Sequence, residues 1–564
     1  MDTRHWEEHI KDVQPINIST LDNMEARDPK IKEAWSQVRE WLRRRPTDAI
    51  KPGRTIEADI SPEGHAKMLA YGHCSPIAAD RVRGTVHLFK TGELMKQRNR
   101  IIKHPQMWNE VYGRDTLLGL QQAKTRELVG SVHQGRFSIT LDFAAWFDQL
   151  LLEAISDGSG DHLSEWFCYY YQGEWFKLNR LAMGMRQSVD IADTATRLLA
   201  SFPLPEGVRD DTYIDNMRWI GDTVNDVVTA ALTLVLRAFE AGVTINEVPT
   251  ALRKRDPRTG QFDTEAIRAF LQTLVTERGE FLGVHYDYAK KTVKVGKKAI
   301  AKLKLLQDLK TQGQDWTHRN FLSAFGIIFF SLQATRADAA HRYYAMREYS
   351  ETARRIERDP GLLETIWKCA DSRAAHVAQW VQDVIDNPEY PVALHPEPHR
   401  SNYILVVDAS KWGYGAILLD MRTNQIFTWH EEWPPGWRGK GTSSWAEPEG
   451  AKRALLHFFP HGTSASIAVL SDSSTTVDAF KKGRSGSFAV NRSILDFQQA
   501  FNRWDVTWHH VPGTTNRADA LSRGVTEKAL LAAQPNWKES TAGEIRRQAV
   551  GVPPGGGSQA LVDK

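Results

Sequence analysis

The sequence predicts a multidomain protein of mixed α/β class, and three observations predict it. The chain runs to 564 residues, too long for one core at roughly 100–200 residues per domain. Short apolar runs that end in an acidic residue, SITLDF (138–143), YILVVDAS (403–410) and SIAVLSD (466–472), alternate with stretches of helical spacing. The segment from Asp386 to Arg400 carries four prolines and reads as a linker between two α/β regions. With 41% hydrophobic and 25% charged residues the composition is that of a globular chain, not of a disordered one.

Composition also excludes several classes. No apolar run approaches the ~18 residues a membrane span needs, and the richest stretch, Phe325 to Leu332, is far shorter. The start, MDTRHWEEHIKD, is charged and lacks the apolar heart of a secretory signal. Cys74, Cys168 and Cys369 lie far apart, which gives neither a disulfide framework nor a zinc pattern and suits a reducing compartment. Lys plus Arg number 72 against 69 Asp plus Glu, so net charge alone does not mark a nucleic-acid binder. The 19 tryptophans read first as core and helix packing, and only second as base-stacking platforms.

Residues 1–60 read as a polar helical extension, with Arg43, Arg44 and Arg45 a solvated helix end. From 61 to about 290 the pattern is mixed, and DVVTAALTLVLRAFEAG (226–242) is a strongly apolar helix closed at Gly242. Nearly everything from Lys297 to Ile385 reads as helix. After the linker come strands YILVVDAS and GYGAILLD, then IFTWHEE, a helix near 446–459, the strand SIAVLSDS, a further helix, and the strand DVTWHHV. After Arg523 the chain reads as a tail that ends in the flexible VGVPPGGGSQ (550–559).

The C-terminal region carries the strongest chemical signal. Asp408 and Asp472 each end an apolar strand, where α/β folds place their ligands. An acid leaving a buried run is costly unless it meets a cation. Glu449 lies on the intervening helix and Asp519 follows the last strand. Any one of these alone is an ordinary surface acid. Four in this order can hold two divalent metals about 3.5–4 Å apart for phosphodiester cleavage.

The succession VVDASKWGYGAIL, then Ser444-x-x-Glu447-x-Glu449, LSDSS and HVPGTTNRADALSR resembles the RNase H domain of LTR-type retroelement polyproteins. The resemblance implies Asp408, Glu449, Asp472 and Asp519 as metal ligands, with Glu447 the competing acid. No histidine is named, because the turn Pro512-Gly513-Thr514 occupies the nearest position.

The upstream region resembles a reverse transcriptase. SITLDFAAWFDQLLL resembles the first palm motif, with Asp142 at a strand end and Phe147 five positions later. Asp142 would bind magnesium and Phe147 would exclude a 2′-hydroxyl. KLNRLAMGMRQSVDIAD resembles the second palm motif at Met183 and Gly184, but Ala182 and Val189 stand where prolines are usual. TYIDNM resembles the third motif, with Asp215 kept and Asn216 in place of the final Asp. Asp210 and Asp211 are the weaker alternative pair, since no apolar strand leads into them. RAFEAGVTINE resembles the helix and turn before the thumb, and GEFLGVHYDYAKKTVKV the primer-holding hairpin. FKTGELMKQRNRIIKHPQMWN resembles the fingers pair, with Arg100, and more loosely Lys90, on the triphosphate.

The expected organisation is therefore a helical extension (1–60), fingers and palm (61–245), palm end and primer grip (246–300), thumb or connection helices (301–385), linker (386–400), RNase H (401–524) and flexible tail (525–564). The resemblance is to gypsy-like elements or the related tyrosine-recombinase (DIRS- or VIPER-like) elements, as part of a polyprotein. It implies an RNA- and DNA-dependent DNA polymerase with RNase H, using two Mg2+ per site, with Mn2+ as a substitute. Its partners would be an RNA template, a DNA primer, an RNA–DNA hybrid and dNTPs, in the cytoplasm, a virus-like particle or the nucleus, with no membrane partner. The alternative is a domesticated scaffold of the same fold that retains only the RNase H, which Asn216 and the missing prolines favour.

Overall fold

The computed structural model describes residues 2–44, 55–113, 122–156, 162–392, 398–439, 443–460, 465–501 and 505–551. It is a mixed α/β protein of two compact units, Met1–Lys298 with Glu389–Pro391 and Ala299–Pro388 with Val392–Lys564. Among the described residues no helix is long and apolar enough to cross a membrane.

The first unit contains strands β1 (Cys74–Pro76), β2 (His87–Glu93), β3 (Arg98–His104), β4 (Phe137–Asp142), β5 (Cys168–Tyr171), β6 (Glu174–Leu178), β7 (Arg209–Tyr213), β8 (Asn216–Gly221), β9 (Arg278–Phe281), β10 (Val284–Asp287), β11 (Thr292–Val295) and β12 (Tyr390–Pro391). They form the hairpin β2-β3 and antiparallel sheets ordered β1-β6-β5, β4-β8-β7 and β12-β11-β10-β9. Ile139 and Leu141 of β4 alternate inward as a half-buried strand requires. They share a core with Met217 and Trp219 of β8 and with Val228, Ala231 and Val235. Those last three lie on the helix Val224–Glu240, whose N-cap Thr223 accepts from the Asp226 amide.

The first sixty residues are not an appendage. The helix Pro29–Arg43 starts at the cap Asp28 with Pro29 in its first turn. It buries Trp35, Val38 and Leu42 in the same core as β4. Arg45, the end of the arginine cluster, lies outside the described residues. The proline-rich linker also contributes structure, because β12 pairs antiparallel with β11 through Val293 and Tyr390. Residues 393–397 lie outside the described residues.

In the second unit the helices His318–Thr335, Tyr343–Arg358 and Asp371–Asp386 pack through Phe325 against Tyr349 and Trp380. Beyond them, β13 (Tyr403–Ala409), β14 (Gly413–Asp420), β15 (Ile426–Glu432), β16 (Ser466–Ser471) and β17 (Asp505–His510) form one sheet ordered β15-β14-β13-β16-β17. β13 runs antiparallel to β14 and parallel to β16, which runs parallel to β17.

The central strands are apolar on both faces, so both need a cover. Leu405 and Val407 face a core shared with Ala451 and Leu455 of the helix Ser443–Phe458 and Phe497 of Phe488–Ala500. Ile404 and Val406 face the other way, onto Trp537, Ala542 and Ile545. Those residues belong to the helix Trp537–Val550, preceded by Glu527–Ala533. The segment expected as a flexible tail is therefore, over these two helices, the second cover of the sheet. Its apolar residues recur at helical spacing, a signal masked by the many polar residues between them. Residues 552–564, most of the Gly/Pro-rich stretch, lie outside the described residues.

Two candidate carboxylate centres

The first centre forms where β4 and the β7-β8 hairpin end together. Asp142 is the register partner of Asn216, and Asp215 occupies the two-residue turn between Tyr213 and Asn216. Its turn neighbour Ile214 has φ +53°, a costly conformation for a β-branched residue. It is held there by Asp193, which accepts its amide at 2.8 Å, and by the Thr196 hydroxyl, which donates to its carbonyl. The Asp215 carbonyl accepts from the Phe143 amide at 2.9 Å, tying the turn to the end of β4.

The carboxylates are oriented by amides. Asn216 Nδ2 donates to Asp215 Oδ1 at 3.0 Å and Asn246 Nδ2 to Asp142 Oδ2 at 2.9 Å. Glu247, which the motif reading passed over, accepts the Asp142 backbone N–H on both oxygens at 3.1 Å. Burial first, then the neighbouring Asp142 carboxylate, pushes Glu247 up to about 8. Burial and Asp142 likewise raise Asp215 to about 6, and Arg100 opposes that rise. The only hint of Glu247 in the sequence is that it ends RAFEAGVTINE.

The other expected residues of this region divide. Arg100 on β3 lies within electrostatic range of Asp215, although its guanidinium donates to Glu93 at 2.7 Å. Lys90 does not join it. Its ammonium lies 3.5 Å from Asp59 and 3.7 Å from Glu8, carboxylates too remote in sequence to anticipate. Phe147 is half-buried against the core in a short turn that follows Ala145 at φ +40°. Gly184 meets the backbone of β3. Its amide donates to the Lys103 carbonyl at 3.0 Å, and a Cβ there would come within 2.3 Å of that oxygen. Met183 beside it is half-buried.

The second centre lies at the C-terminal ends of β13 and β16. Asp408, Glu447 and Asp472 bring one oxygen each within 4.8 Å of one another. Glu447, not Glu449, enters this cluster. Its oxygens accept from the Ala409 amide at 3.0 Å and the Ser471 hydroxyl at 2.9 Å. Glu449 is held by Lys452 and Arg453, both at 2.9 Å. Two positions on a helix differ by about 200°, so only one of the pair can face the sheet. The expectation for Glu449 is corrected on that ground.

Asp408 accepts from the Ser522 hydroxyl at 2.5 Å. Its register partner is Gly415, where a Cβ would come within 2.5 Å of the Ser522 amide. A bare backbone at Gly415 thus lets the turn Asp519–Ser522 lie directly on the sheet. Asp519 is half-buried and pairs with Arg523 at 3.2 Å, and its charge reaches both Asp408 and Asp472. Burial, outweighing the Ser522 bond, raises Asp408 to about 6. Burial and the charges of Asp408 and Asp472 raise Glu447 to about 8. Asp472 is raised by burial and by Asp519, with His510 acting against it.

No family model matches the sequence, and no curated protein matches it. Among solved structures it is similar to a foamy viral protease–reverse transcriptase in complex with double-stranded DNA, at 11% identity and TM-score 0.44, over 89% of this chain and 83% of that one. It is also similar to a foamy viral protease–reverse transcriptase in complex with an RNA/DNA hybrid, at 12% identity and TM-score 0.43, over 92% of this chain and 66% of that one.

Proposed function

We propose that this chain is a retroelement reverse transcriptase joined to an RNase H, and the Asp408–Glu447–Asp472 cluster is the observation that carries the nuclease half. Three carboxylates packed within 4.8 Å and raised by burial and mutual repulsion are an unfavourable arrangement on their own. It is the donor set that a pair of hard divalent cations fits. Asp408, Glu447 and Asp472 would hold Mg2+ or Mn2+, with Asp519 at the rim. Bound there, the ions would activate a water and steady the leaving oxygen of a cleaved phosphodiester.

The residues of the chain orient this site. Ser522 fixes one Asp408 oxygen, while the Ala409 amide and Ser471 fix both Glu447 oxygens. The Asn516 side-chain amide, which donates to the Val407 carbonyl at 3.1 Å, opposes the rise of Asp472. With Asp408 and Glu447 so restrained, little reorganisation is needed when a hybrid arrives.

The polymerase half is supported by Asp142 and Asp215, brought together by the β4-β8 register and the strained turn. These two would hold the ions of nucleotidyl transfer. Arg100, within electrostatic range of Asp215, would meet the triphosphate. Phe147 would lie beneath the sugar, and Met183 and Gly184 would shape the floor beside β3. Lys90 is assigned no role, because Glu8 and Asp59 occupy it. Asn216 favours a second reading, a polymerase-weak scaffold with an active RNase H, because its amide donates to Asp215 where a third acid would bind metal.

Primer extension on an RNA template, run beside cleavage of an RNA–DNA hybrid in Mg2+ and then Mn2+, tests both halves. Extension and cleavage together support the full reading. Cleavage alone leaves the scaffold reading, and neither activity in either metal overturns both.

A further inference from the structure

The N-terminal segment of the first unit is a strap fixed at both ends. Its first half lies along β3, where Glu8 bridges Asn99 in parallel register. The His9 amide donates to the Asn99 carbonyl at 2.8 Å, and the Asn99 amide to the Glu7 carbonyl at 2.8 Å. The buried Asn99 side chain also donates to the Thr3 and Trp6 carbonyls, both at 2.9 Å. A Cβ at Gly92 would come within 2.8 Å of the Thr3 side chain, so a bare backbone there lets the strap lie against the β2-β3 hairpin. Farther on, the Ile16 amide donates to the Gln149 carbonyl at 2.9 Å and the Asn17 amide to the Ala241 carbonyl at 2.8 Å.

Between these anchors the strap brings Lys11 to the first carboxylate centre. Lys11 is half-buried, and its ammonium donates to Asn246 Oδ1. Asn246 Nδ2 in turn donates to Asp142 Oδ2 at 2.9 Å. One amide group thus stands between the ammonium and the Asp142 carboxylate. Only this orientation of the amide satisfies both neighbours, since an ammonium has donors alone and an ionised carboxylate acceptors alone. Lys11 spends one of its three donors on this neutral partner, and among the described residues no carboxylate lies within ion-pair distance of it.

The other cations nearby are committed. Arg98 and Arg100 share Glu93, Lys103 is held by Asp148, and Lys90 lies between Glu8 and Asp59. Glu8 belongs to the strap, so the segment that neutralises Lys90 is the one that presents Lys11. Partial desolvation, then the charges of Arg98 and Lys11, hold His9 below its usual value, which places Lys11 within electrostatic range of the β3 cations. The acids on this side are Glu93, Asp12 beside Lys11 on the strap, and the centre's own Asp142, Asp215 and Glu247. A half-buried ammonium with a neutral partner is stabilised when an anion arrives. Beside so many carboxylates, that anion must be one that travels with divalent cations, as a polyphosphate does.

We propose that Lys11, delivered by the strap, binds the phosphate tail of a nucleoside triphosphate at the Asp142–Asp215 centre, in the role that Lys90 does not fill. The proposal rests on the polymerase reading of that centre and adds to it a residue from outside the motif segments.

The test uses Lys11→Ala and Lys11→Arg in the full chain. Equilibrium binding of dATP is measured with Mg2+ on a template whose primer ends in a dideoxynucleotide, so that no chemistry follows. Lys11→Ala should weaken dATP binding at least about tenfold, the scale of one lost bond between charged groups. Lys11→Arg should stay within about threefold of the parent, because it keeps the charge. Both variants should unfold at the parental temperature and keep the parental Mg2+ requirement. A loss that Lys11→Arg does not restore, or that comes with a raised Mg2+ requirement, would make Lys11 a mere support for Asn246 and overturn the proposal. Parental dATP affinity in Lys11→Ala overturns it as well, even where the parent extends primers. A parent that binds dATP through Lys11 but extends no primer overturns the polymerase reading and leaves the binding site. A parent that neither binds dATP nor extends a primer overturns both.

Discussion

Glu447 and Glu449 stand two residues apart on the helix Ser443–Phe458 and face opposite surroundings. Glu447 is locked between the Ala409 amide and the Ser471 hydroxyl, whereas Glu449 is spent on Lys452 and Arg453. Their substitutions should therefore separate cleanly. Glu447→Gln should lower hybrid cleavage by roughly 100-fold or more, the scale on which one electrostatic group in a site acts. Glu449→Gln should leave the rate within a few-fold and cost about 0.5 kcal/mol from a helical ion pair. Single-turnover cleavage and urea unfolding of the two variants read this out, and equal losses of rate would refute the assignment.

Asn216 is the register partner of Asp142 and a donor to Asp215. Asn216→Asp replaces that donor with a third negative charge. Without metal it should lower stability by about 1–2 kcal/mol, from a lost bond to a charged group. With Mg2+ the loss should be recovered, and Mg2+-supported primer extension should rise toward the Mn2+ rate, since Mg2+ demands the harder anionic ligand set. Thermal unfolding with and without Mg2+ checks the first part and extension assays the second.

Phe147 is half-buried in the turn after β4. Phe147→Val should open space beneath the sugar and raise the ratio of ribonucleotide to deoxynucleotide incorporation by about 10-fold or more. The same truncation removes packing from the edge of the core and should cost about 1–3 kcal/mol. An unchanged ratio in a variant that still extends primers would assign Phe147 to packing alone.

Glu247 and Glu447 are both pushed up to about 8, and Asp215 and Asp408 to about 6. Between their unfolded values near 4 and these folded values, the folded chain holds protons that the unfolded chain has released. The stability they contribute is thus complete below about pH 4 and is lost as pH rises through 6 and then 8. In EDTA, the unfolding midpoint in urea should fall between about pH 6.5 and 8.5, above the range in which His65, His73 and His285, held by burial below their usual value, add stability as pH rises. Saturating Mg2+ should flatten that fall, because it offsets the same repulsion, and a midpoint that rises with pH in EDTA would contradict the burial of these groups.

Trp537 and Ile545 cover the β13-β16 face opposite the helix Ser443–Phe458. Ile545→Ala should cost about 2–5 kcal/mol and Trp537→Ala about 3–5 kcal/mol, as core truncations do. Both losses should appear in the unfolding of the second unit. Values under about 0.5 kcal/mol, typical of exposed sites, would mean that this helix does not cap the sheet.

What the amino-acid order determined by itself was local. The runs SITLD, YILVVD and SIAVLSD carry the apolar content of strands, and their terminal acids were legible because a charge that ends a buried run stands out against its neighbours. Likewise, the apolar period and the cap made Val224–Glu240 readable as a helix. Tertiary structure decided what depends on facing and on distant partners. Helix phase chose Glu447 over Glu449, a choice that the Ser-x-x-Glu-x-Glu spacing leaves open because both acids belong to the same turns. Lys90 was diverted by Glu8 and Asp59, and Glu247 was brought under Asp142, through chain crossings that no local pattern encodes. The helix Trp537–Val550 looked like a tail because its own residues bury only a narrow stripe; its place follows from a demand made elsewhere, by a sheet whose central strands are apolar on both faces.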